Sequence, residues 1–379
     1  MDTSVVAERV RFVQEFAGGE WTLTELCERF QVTRPTGYKW VARFREGGAA
    51  ALADASRAPH HSPQHVDDEV VRLLVAARRK YGWGAGKLLA LLRTRHPRQP
   101  WPARSTANAI LERRGLLERR RRRRHWTHPG APPLTTTAPN GVWPADFKGE
   151  FRVGDGQECF GLTLTDHYSR YLLVCHGLTS TKTRDTQPVF RRVFRAVGLP
   201  EAIRTDNGPP FASHALHGLS ALNVWWMQLG IVHQRIPPGC PQANGQHERL
   251  HRDLKRETTR PPARTLRGQQ RRFDGFRARY NDERPHEALG NRTPSSLWTP
   301  STRPYPETVP SPEYPGHLVV RRVSTAGTFC WHSRPIFLSE TLSRLDIGFE
   351  AIDDGVWNIV FYRTLLGRFD ERTGQITSG

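Results

Sequence analysis

The sequence predicts an α/β chain in which helical modules precede a mixed α/β core and a small all-β domain follows. Three observations predict it. Apolar residues recur at helical spacing through residues 1–50 and again through 62–125. Between two Pro-rich linkers, 126–141 and 298–316, strand-like and helical runs alternate over 142–297. From 317 to 379 short β-like runs follow one another closely, as in a small barrel or sandwich. At 379 residues with 37% apolar content, the chain is long enough for several cores.

Charge bounds the partner. Lys and Arg total 56 against 37 Asp and Glu, a formal net charge of +19, which is the electrostatic footprint of a nucleic-acid binder. The excess is uneven, since residues 66–125 carry 17 basic and 5 acidic side chains. The five cysteines are scattered without CxxC spacing, which excludes a disulfide framework and predicts reduced thiols. No apolar run approaches the roughly 18 residues that span a bilayer, and the start "MDTSVVAERVRF" lacks a signal-peptide pattern, so the expectation is no membrane partner and a cytoplasmic, DNA-associated protein.

Residues 5–47 read as three short helices, the last two joined by the tight link "QVT", a helix-turn-helix pattern. Thr22 with Glu25 three positions on has capping-box spacing, and Leu23, Leu26 and Phe30 share an apolar face. The third helix would then present Arg34, Thr36, Lys39 and Trp40 toward a DNA groove; an ordinary three-helix bundle fits the same pattern. The second module repeats the theme. Ser105 or Thr106 is its expected last N-cap, with Ala107, Ile110 and Leu111 packing and Arg104, Asn108 and Arg113 left free. The run Arg119, Arg120, Arg121, Arg122, Arg123 and Arg124 cannot bury itself and is expected to grip phosphates, unless it only solubilises a linker.

The core opens with three strands, "GVWPADFKGEF" and the two halves of "CFGLTLTDHYSRYLLVCHG". A helix, the short strand ending at Asp206, a helical segment, the strand "IVHQRIP" and the helix bearing Glu248 complete the order βββαβαβα, which is that of an RNase H-like fold. In that order Asp146, Asp206 and Glu248 can converge. Three ionised carboxylates repel one another unless a cation sits among them, and hard oxygen donors with open positions suit Mg²⁺ or Mn²⁺, here two ions. Asn244, Arg252 and Lys255 lie at i−4, i+4 and i+7 from Glu248, on nearly one helix face, where basic groups would hold DNA phosphates. Leu250 and Leu254 face elsewhere and anchor the helix. Taken alone, the same helix also reads as a charged surface helix with a Glu248–Arg252 ion pair.

Asp146 in "WPADFKG", Asp206 in "RTDNGPPF", Glu248 in "PPGCPQANGQHERLHRDLK" and the following "YNDERPHEALGNRTPSSL" together resemble the retroviral-integrase-type catalytic core of bacterial insertion-sequence transposases, the DDE group. The helical modules and carboxyl-terminal β segment resemble that family's layout too. The resemblance implies binding of an element's terminal inverted repeats, hydrolytic nicking to free 3′-hydroxyls, and attack of those hydroxyls on target DNA. It also implies metal ligation by Asp146, Asp206 and Glu248, and a homodimer or tetramer bridging two DNA ends. Two departures stand out. The 41 residues between Asp206 and Glu248 exceed the family's usual spacing, with the extra length in "HALHGLSALNVWW". No His/Cys zinc module precedes the core, and His60 and His61 read as loop residues. Tyr280, Pro285 and His286 either help seat DNA or close the fold. A non-catalytic DNA-binding regulator derived from a transposase remains the rival reading. An RNase H-type nuclease fits less well, because two DNA-reading modules would serve it no purpose.

Overall fold

The computed structural model describes residues 5–54, 66–117, 136–213, 218–236, 245–309 and 311–377. The chain divides into two compact units, Met1–Asp67 and Asp68–Gly379.

The first unit contains α1 (Val5–Ala17), α2 (Leu23–Arg29) and α3 (Arg34–Gly47). The Thr22–Glu25 capping box forms, with the Thr22 N–H donating to Glu25 Oε2 at 2.8 Å and the Thr22 hydroxyl oxygen accepting from the Glu25 N–H. Phe12, Val13, Leu26 and Cys27 fill the centre. A side chain at Gly37 would bring its Cβ to 2.6 Å from Cys27 Sγ, so glycine permits the close approach of α2 and α3. Arg34 and Lys39 stand exposed on α3. Trp40 does not join them. Its ring packs edge-on against Phe12 at 5.3 Å, because it follows Gly37 on the inward side with Val41 and Phe44. Thr36 is likewise occupied, its hydroxyl 2.9 Å from that of Thr33.

The second unit begins with α4 (Asp68–Tyr81), α5 (Ala85–Arg95) and α6 (Arg104–Arg113). Ala107, Ile110 and Leu111 are buried as their spacing requires. The expected cap is not used. The α6 helix starts one residue ahead of Ser105, with extended Ala103 at the N-cap and no side-chain bond there, because the chain turns directly after Pro102 and draws both hydroxyl residues into the first turn.

The mixed sheet follows. β1 (Val142–Arg152), β2 (Glu158–Thr165) and β3 (Leu172–Leu178) form an antiparallel meander, α7 (Thr183–Val197) crosses over to β4 (Ala202–Thr205), and α8 (Ala221–Gln228) leads to β5 (Val232–Arg235). The strand order is β3-β2-β1-β4-β5, with β1, β4 and β5 parallel. α9 (Gly245–Thr258) and α10 (Leu266–Ala278) cover β1 and β3. This is the α/β, RNase H-like order that the sequence predicts. Trp143, Leu164, Phe190, Phe194, Ile203 and Trp226 form the main core under α7 and α8. Gly198 closes α7 at φ +83°, and a Cβ there would lie 2.6 Å from the Arg303 carbonyl, so the segment after the core can lie flat against it.

The remaining strands are β6 (Val319–Arg322), β7 (Thr328–Trp331), β8 (Arg334–Phe337), β9 (Asp346–Asp353), β10 (Val356–Phe361), β11 (Thr364–Asp370) and β12 (Gln375–Thr377). They make an antiparallel sheet of order β12-β11-β10-β9-β6 and a β7–β8 hairpin. Phe329, Phe349, Phe361 and Phe369 share a core with Leu219, Val224 and Met227, so the exposed side of the α8 region is covered by this domain. Among the described residues no helix is long and apolar enough to cross a membrane.

Trp143 is fully buried on β1, and its indole N–H donates to Asn140 Oδ1 at 3.2 Å. Trp143→Ala should cost about 3–5 kcal/mol in urea unfolding of the second unit; a loss below 1 kcal/mol would show that this core is not what holds β1.

Candidate active site

The site begins with strand register. β1 and β4 pair in parallel with Val142 opposite Ala202, Trp143 opposite Ile203 and Pro144 opposite Arg204. The pairing ends there; β1 runs on through Asp146 to Arg152, and Asp206 follows directly on β4. Asp206 thus follows the carboxyl end of a parallel strand, where ligand sites of α/β sheets are found. The turn after β4 is pinned in three places. The Gly208 N–H donates to Asp206 Oδ1 at 3.2 Å, the Thr205 hydroxyl to the Asp206 carbonyl at 2.9 Å, and the Asn207 amide to the Ile236 carbonyl at 3.0 Å.

Glu248 lies in the first turn of α9, exposed with Arg252 and Lys255. Leu250 and Leu254 bury the opposite face against Val153, Leu172, Phe273 and Phe276, which fixes the helix rotation. Among the described residues no ion pair joins Glu248 to Arg252. Asn244 and Arg119–Arg124 lie outside the described residues, as do His60 and His61.

One helical turn beyond Glu248, His251 reaches the strands. Its Nε2 is 2.8 Å from the Thr163 hydroxyl, which donates to the Asp146 carbonyl at 3.1 Å, and its Nδ1 is 3.8 Å from Asp146 Oδ2. The imidazole tautomer decides which of the Thr163 hydroxyl and His251 Nε2 donates to the other. Burial pushes His251 down to about 2, helped by the His247 and Lys148 charges, and His247 down to about 4. His251 therefore orients the Asp146 region without supplying a positive charge. Lys148, two residues along β1, is also lowered, first by burial and then by Lys255, while Asp146 opposes the shift. Sequence reasoning missed Lys148, Thr163 and His251. The i+2 position of Lys148 on β1 was the available signal for the lysine; the other two are joined only by the fold.

A fourth acid, Asp166, sits close by in sequence but serves the fold. Fully buried, it accepts from the Asn140 and Ser169 N–H groups at 2.7 and 2.8 Å and from the Ser169 hydroxyl at 2.6 Å, tying the β2–β3 turn to the entrance of β1. Burial raises its pKa against those bonds.

The three candidate ligands are accessible hard-oxygen donors on adjoining elements, and that chemistry fits a divalent cation. They are not a closed cage. Among the described residues no group of three His, Cys, Asp or Glu side chains stands close enough to hold an ion. Asp146 lies midway along β1, Asp206 just after β4 and Glu248 in the first turn of α9.

Tyr280, Pro285 and His286 close the fold around α9. The π-helical turn Arg279–Glu283 ends α10, and Tyr280 packs edge-on against His286 at 4.8 Å. Arg284, almost fully buried, binds Asp253 and reaches Glu257 at 3.6 Å, which fastens this segment to α9.

Family models match the amino-terminal and central parts of this chain. Models of the integrase core domain match residues 136–241 and 229–294, a helix-turn-helix domain matches 8–60, and a homeodomain-like domain matches 36–111. Among individual relatives, the 31.7 kDa protein of insertion element IS407 from Burkholderia multivorans is 30% identical over 194 residues, covering 48% of this chain and 64% of that protein. The 39.2 kDa protein of insertion element IS476 from Xanthomonas euvesicatoria is 30% identical over 171 residues, covering 43% of this chain and 46% of that protein. The chain thus spans about half to two thirds of the curated relatives it matches. A solved HTLV-2 integrase catalytic core domain, in complex with magnesium, is 17% identical with a TM-score of 0.35, over 43% of this chain and 99% of that one.

Buried neutral histidines make the second unit acid-sensitive. His286 is lowered to about 3, first by burial and then by Lys87, Arg284 and Arg170. The unfolded chain binds this proton near pH 6.5 and the native state does not, so the stabilisation is complete above that pH and is lost as pH falls toward 3. His286→Asn should reduce the slope of unfolding free energy between pH 5.5 and 4.5 by about 1.4 kcal/mol per pH unit. Urea melts across that range check it, and an unchanged slope would mean that His286 is protonated in the native state.

Proposed function

We propose that this protein is a DNA transposase that nicks the ends of a mobile element and joins them to target DNA. The observation that carries the reading is the parallel pairing of β1, which bears Asp146, with β4, which leads into Asp206, in a segment that the integrase core domain model matches.

Asp146 and Asp206 would hold divalent Mg²⁺ or Mn²⁺, two ions in the full assembly, and Glu248 would complete the ligand set from α9. When bound, the metal activates the attacking oxygen and stabilises the leaving one. The protein's own groups do the rest. Arg252 and Lys255, exposed on the Glu248 side of α9 with Lys148 nearby, hold the phosphates that flank the reacting phosphorus. Asn244, one residue ahead of that helix in sequence, would add a contact to the DNA end. Nicking is attack of water on phosphorus, with the bond to the 3′-oxygen breaking and that oxygen leaving as a free hydroxyl. Joining repeats the displacement with this hydroxyl as nucleophile and a target-strand 3′-oxygen as leaving group. Both are in-line phosphoryl transfers, so no covalent enzyme intermediate is needed.

Sequence address comes from the helical modules. Arg34 and Lys39 stand exposed on α3 as a recognition helix requires, Arg104 stands at the start of α6, and Arg119–Arg124 would add phosphate contacts. Terminal inverted repeats are the DNA read, and two ends joined to one target call for a homodimer or tetramer. The carboxylates' lack of a closed cage favours, as the second reading, a DNA-binding regulator whose core is only a scaffold.

The test uses the purified protein and a supercoiled plasmid carrying its gene with flanking DNA, incubated with Mg²⁺ or Mn²⁺, the ends being mapped by sequencing. The transposase reading expects metal-dependent nicks at inverted repeats, lost by at least two orders of magnitude in Asp206→Asn. Binding to the repeats with no cleavage by the wild type would establish the regulator instead.

A further inference from the structure

Just beyond Asp146 the β1 strand is irregular. Phe147 pairs with Leu162 and Glu150 with Phe160, so Lys148 and Gly149 together stand opposite Gly161 alone. That is a β-bulge, which re-aims the side chain beside it. Gly149 takes the left-handed φ of +84° at this point, where glycine is favoured. On the partner strand, a Cβ built on Gly161 would lie 3.4 Å from the Lys148 Cβ and 3.7 Å from the Phe273 ring. Phe273 belongs to α10, so Lys148 leaves the strand on the face that α9 and α10 cover. Thr163, two residues along β2 from Gly161, meets His251 of α9 on that same face.

Contacts at both ends align α9 with β1. At one end His251 Nδ1 stands 3.8 Å from Asp146 Oδ2. Past the other end of the helix, the Ala263 and Arg264 carbonyls accept from the Gly154 and Asp155 N–H groups at 2.9 and 2.8 Å. Helix and strand therefore run side by side in one direction. Four residues of helix advance about 6 Å and two residues of strand about 6.6 Å, so Lys255, one turn beyond His251, comes level with Lys148. The like charge of Lys255 is accordingly felt at Lys148, second only to burial. Lys148 is half-buried and Lys255 exposed, and among the described residues neither is engaged in an ion pair. The acids further along α9 are already paired: Asp253 and Glu257 both bind Arg256 and Arg284. A half-buried ammonium facing a second one does nothing for the stability of a core strand, and an anion between the two would relieve both.

We propose that Lys148 is a DNA-binding residue of the active site, which grips, together with Lys255, the backbone phosphate next to the one that reacts. The proposal rests on the transposase reading for its choice of a DNA phosphate. The step along β1 and α9 sets the two ammonium groups apart from the carboxylates, so the phosphate they hold is a neighbour of the reacting one. Compact ammonium groups can approach one phosphate from two sides, here one fixed on the sheet and one on the helix. The bulge gives this grip its precision, because it ties the DNA strand to the same β-strand that bears Asp146.

The test scans the flanking DNA of the gene with methylphosphonates, which remove the charge of one phosphate at a time. The duplex covers the stretch that the wild type protects from nuclease, so the readout is binding and needs no cleavage. One neutralised position should weaken wild-type binding about tenfold. That same position should have no effect on Lys148→Met or on Lys255→Met, each of which should bind the unmodified duplex about tenfold more weakly than the wild type. Lys148→Met should also unfold at no lower urea concentration than the wild type, with Lys148→Gln as the second variant if the first fails to fold. A lower midpoint for both would make Lys148 a strut of the fold and count against the proposal. Lys148 variants as sensitive as the wild type at every position overturn it, even with plasmid cleavage intact. Different silent positions for Lys148 and Lys255 overturn the shared grip. The expected pattern in a protein that never cleaves supports the grip and removes the transposase reading alone.

Discussion

Parallel pairing of β1 with β4 is the constraint on which the rest of the structure depends. It joins the strand that bears Asp146 to the strand that leads into Asp206, and two like charges drawn together there would oppose each other. A pair of that kind persists only if the backbone beneath it is fixed by something stronger. Trp143 and Ile203 supply that anchor by full burial in the main core, with α7 and α8 packed over them. The hydrogen bonds of Thr205, Asn207 and Gly208 then fix the turn that carries Asp206. Close to Asp146 the structure places a histidine held neutral, so the negative charge there is oriented but not cancelled.

The same logic extends outward along α9. Its buried face, Leu250 and Leu254, sets the helix rotation, and the Arg284 bonds to Asp253 and Glu257 tie it to the segment after α10. That segment in turn holds α4 and α5 through Glu283. One continuous set of contacts therefore runs from the second helical module to the helix bearing Glu248. Motifs at 280–290 and 81–87 that look unrelated in sequence are two halves of one joint.

Much of this was legible in the sequence because it depends on local chemistry. The alternation of strand and helix patterns predicts the order of the core, Thr22 and Glu25 predict their capping box, and the spacing of Leu250 and Leu254 predicts the buried face of α9. What escaped depends on chain-distant neighbours. Thr163 meets His251 across 88 residues and Tyr81 meets Glu283 across 202, and neither pairing leaves a periodic trace. Trp40 was misread for a related reason, since on a short helix the recognition face and the core face are adjacent, and only the position of Phe12 decides between them. The α6 cap was misread because Pro102 moved the helix start ahead of the hydroxyl residues.

Direct metal binding tests the central claim most sharply, because it asks about Asp146 and Asp206 without requiring DNA, assembly or turnover. Titration of Mn²⁺ into the protein, followed by loss of the sharp free-ion signal in electron paramagnetic resonance, would be compared among wild type, Asp146→Asn and Asp206→Asn. The account predicts binding by the wild type that weakens on the order of tenfold or more in each variant. Equal Mn²⁺ binding by all three proteins would contradict it, and the two aspartates would then share no ligand.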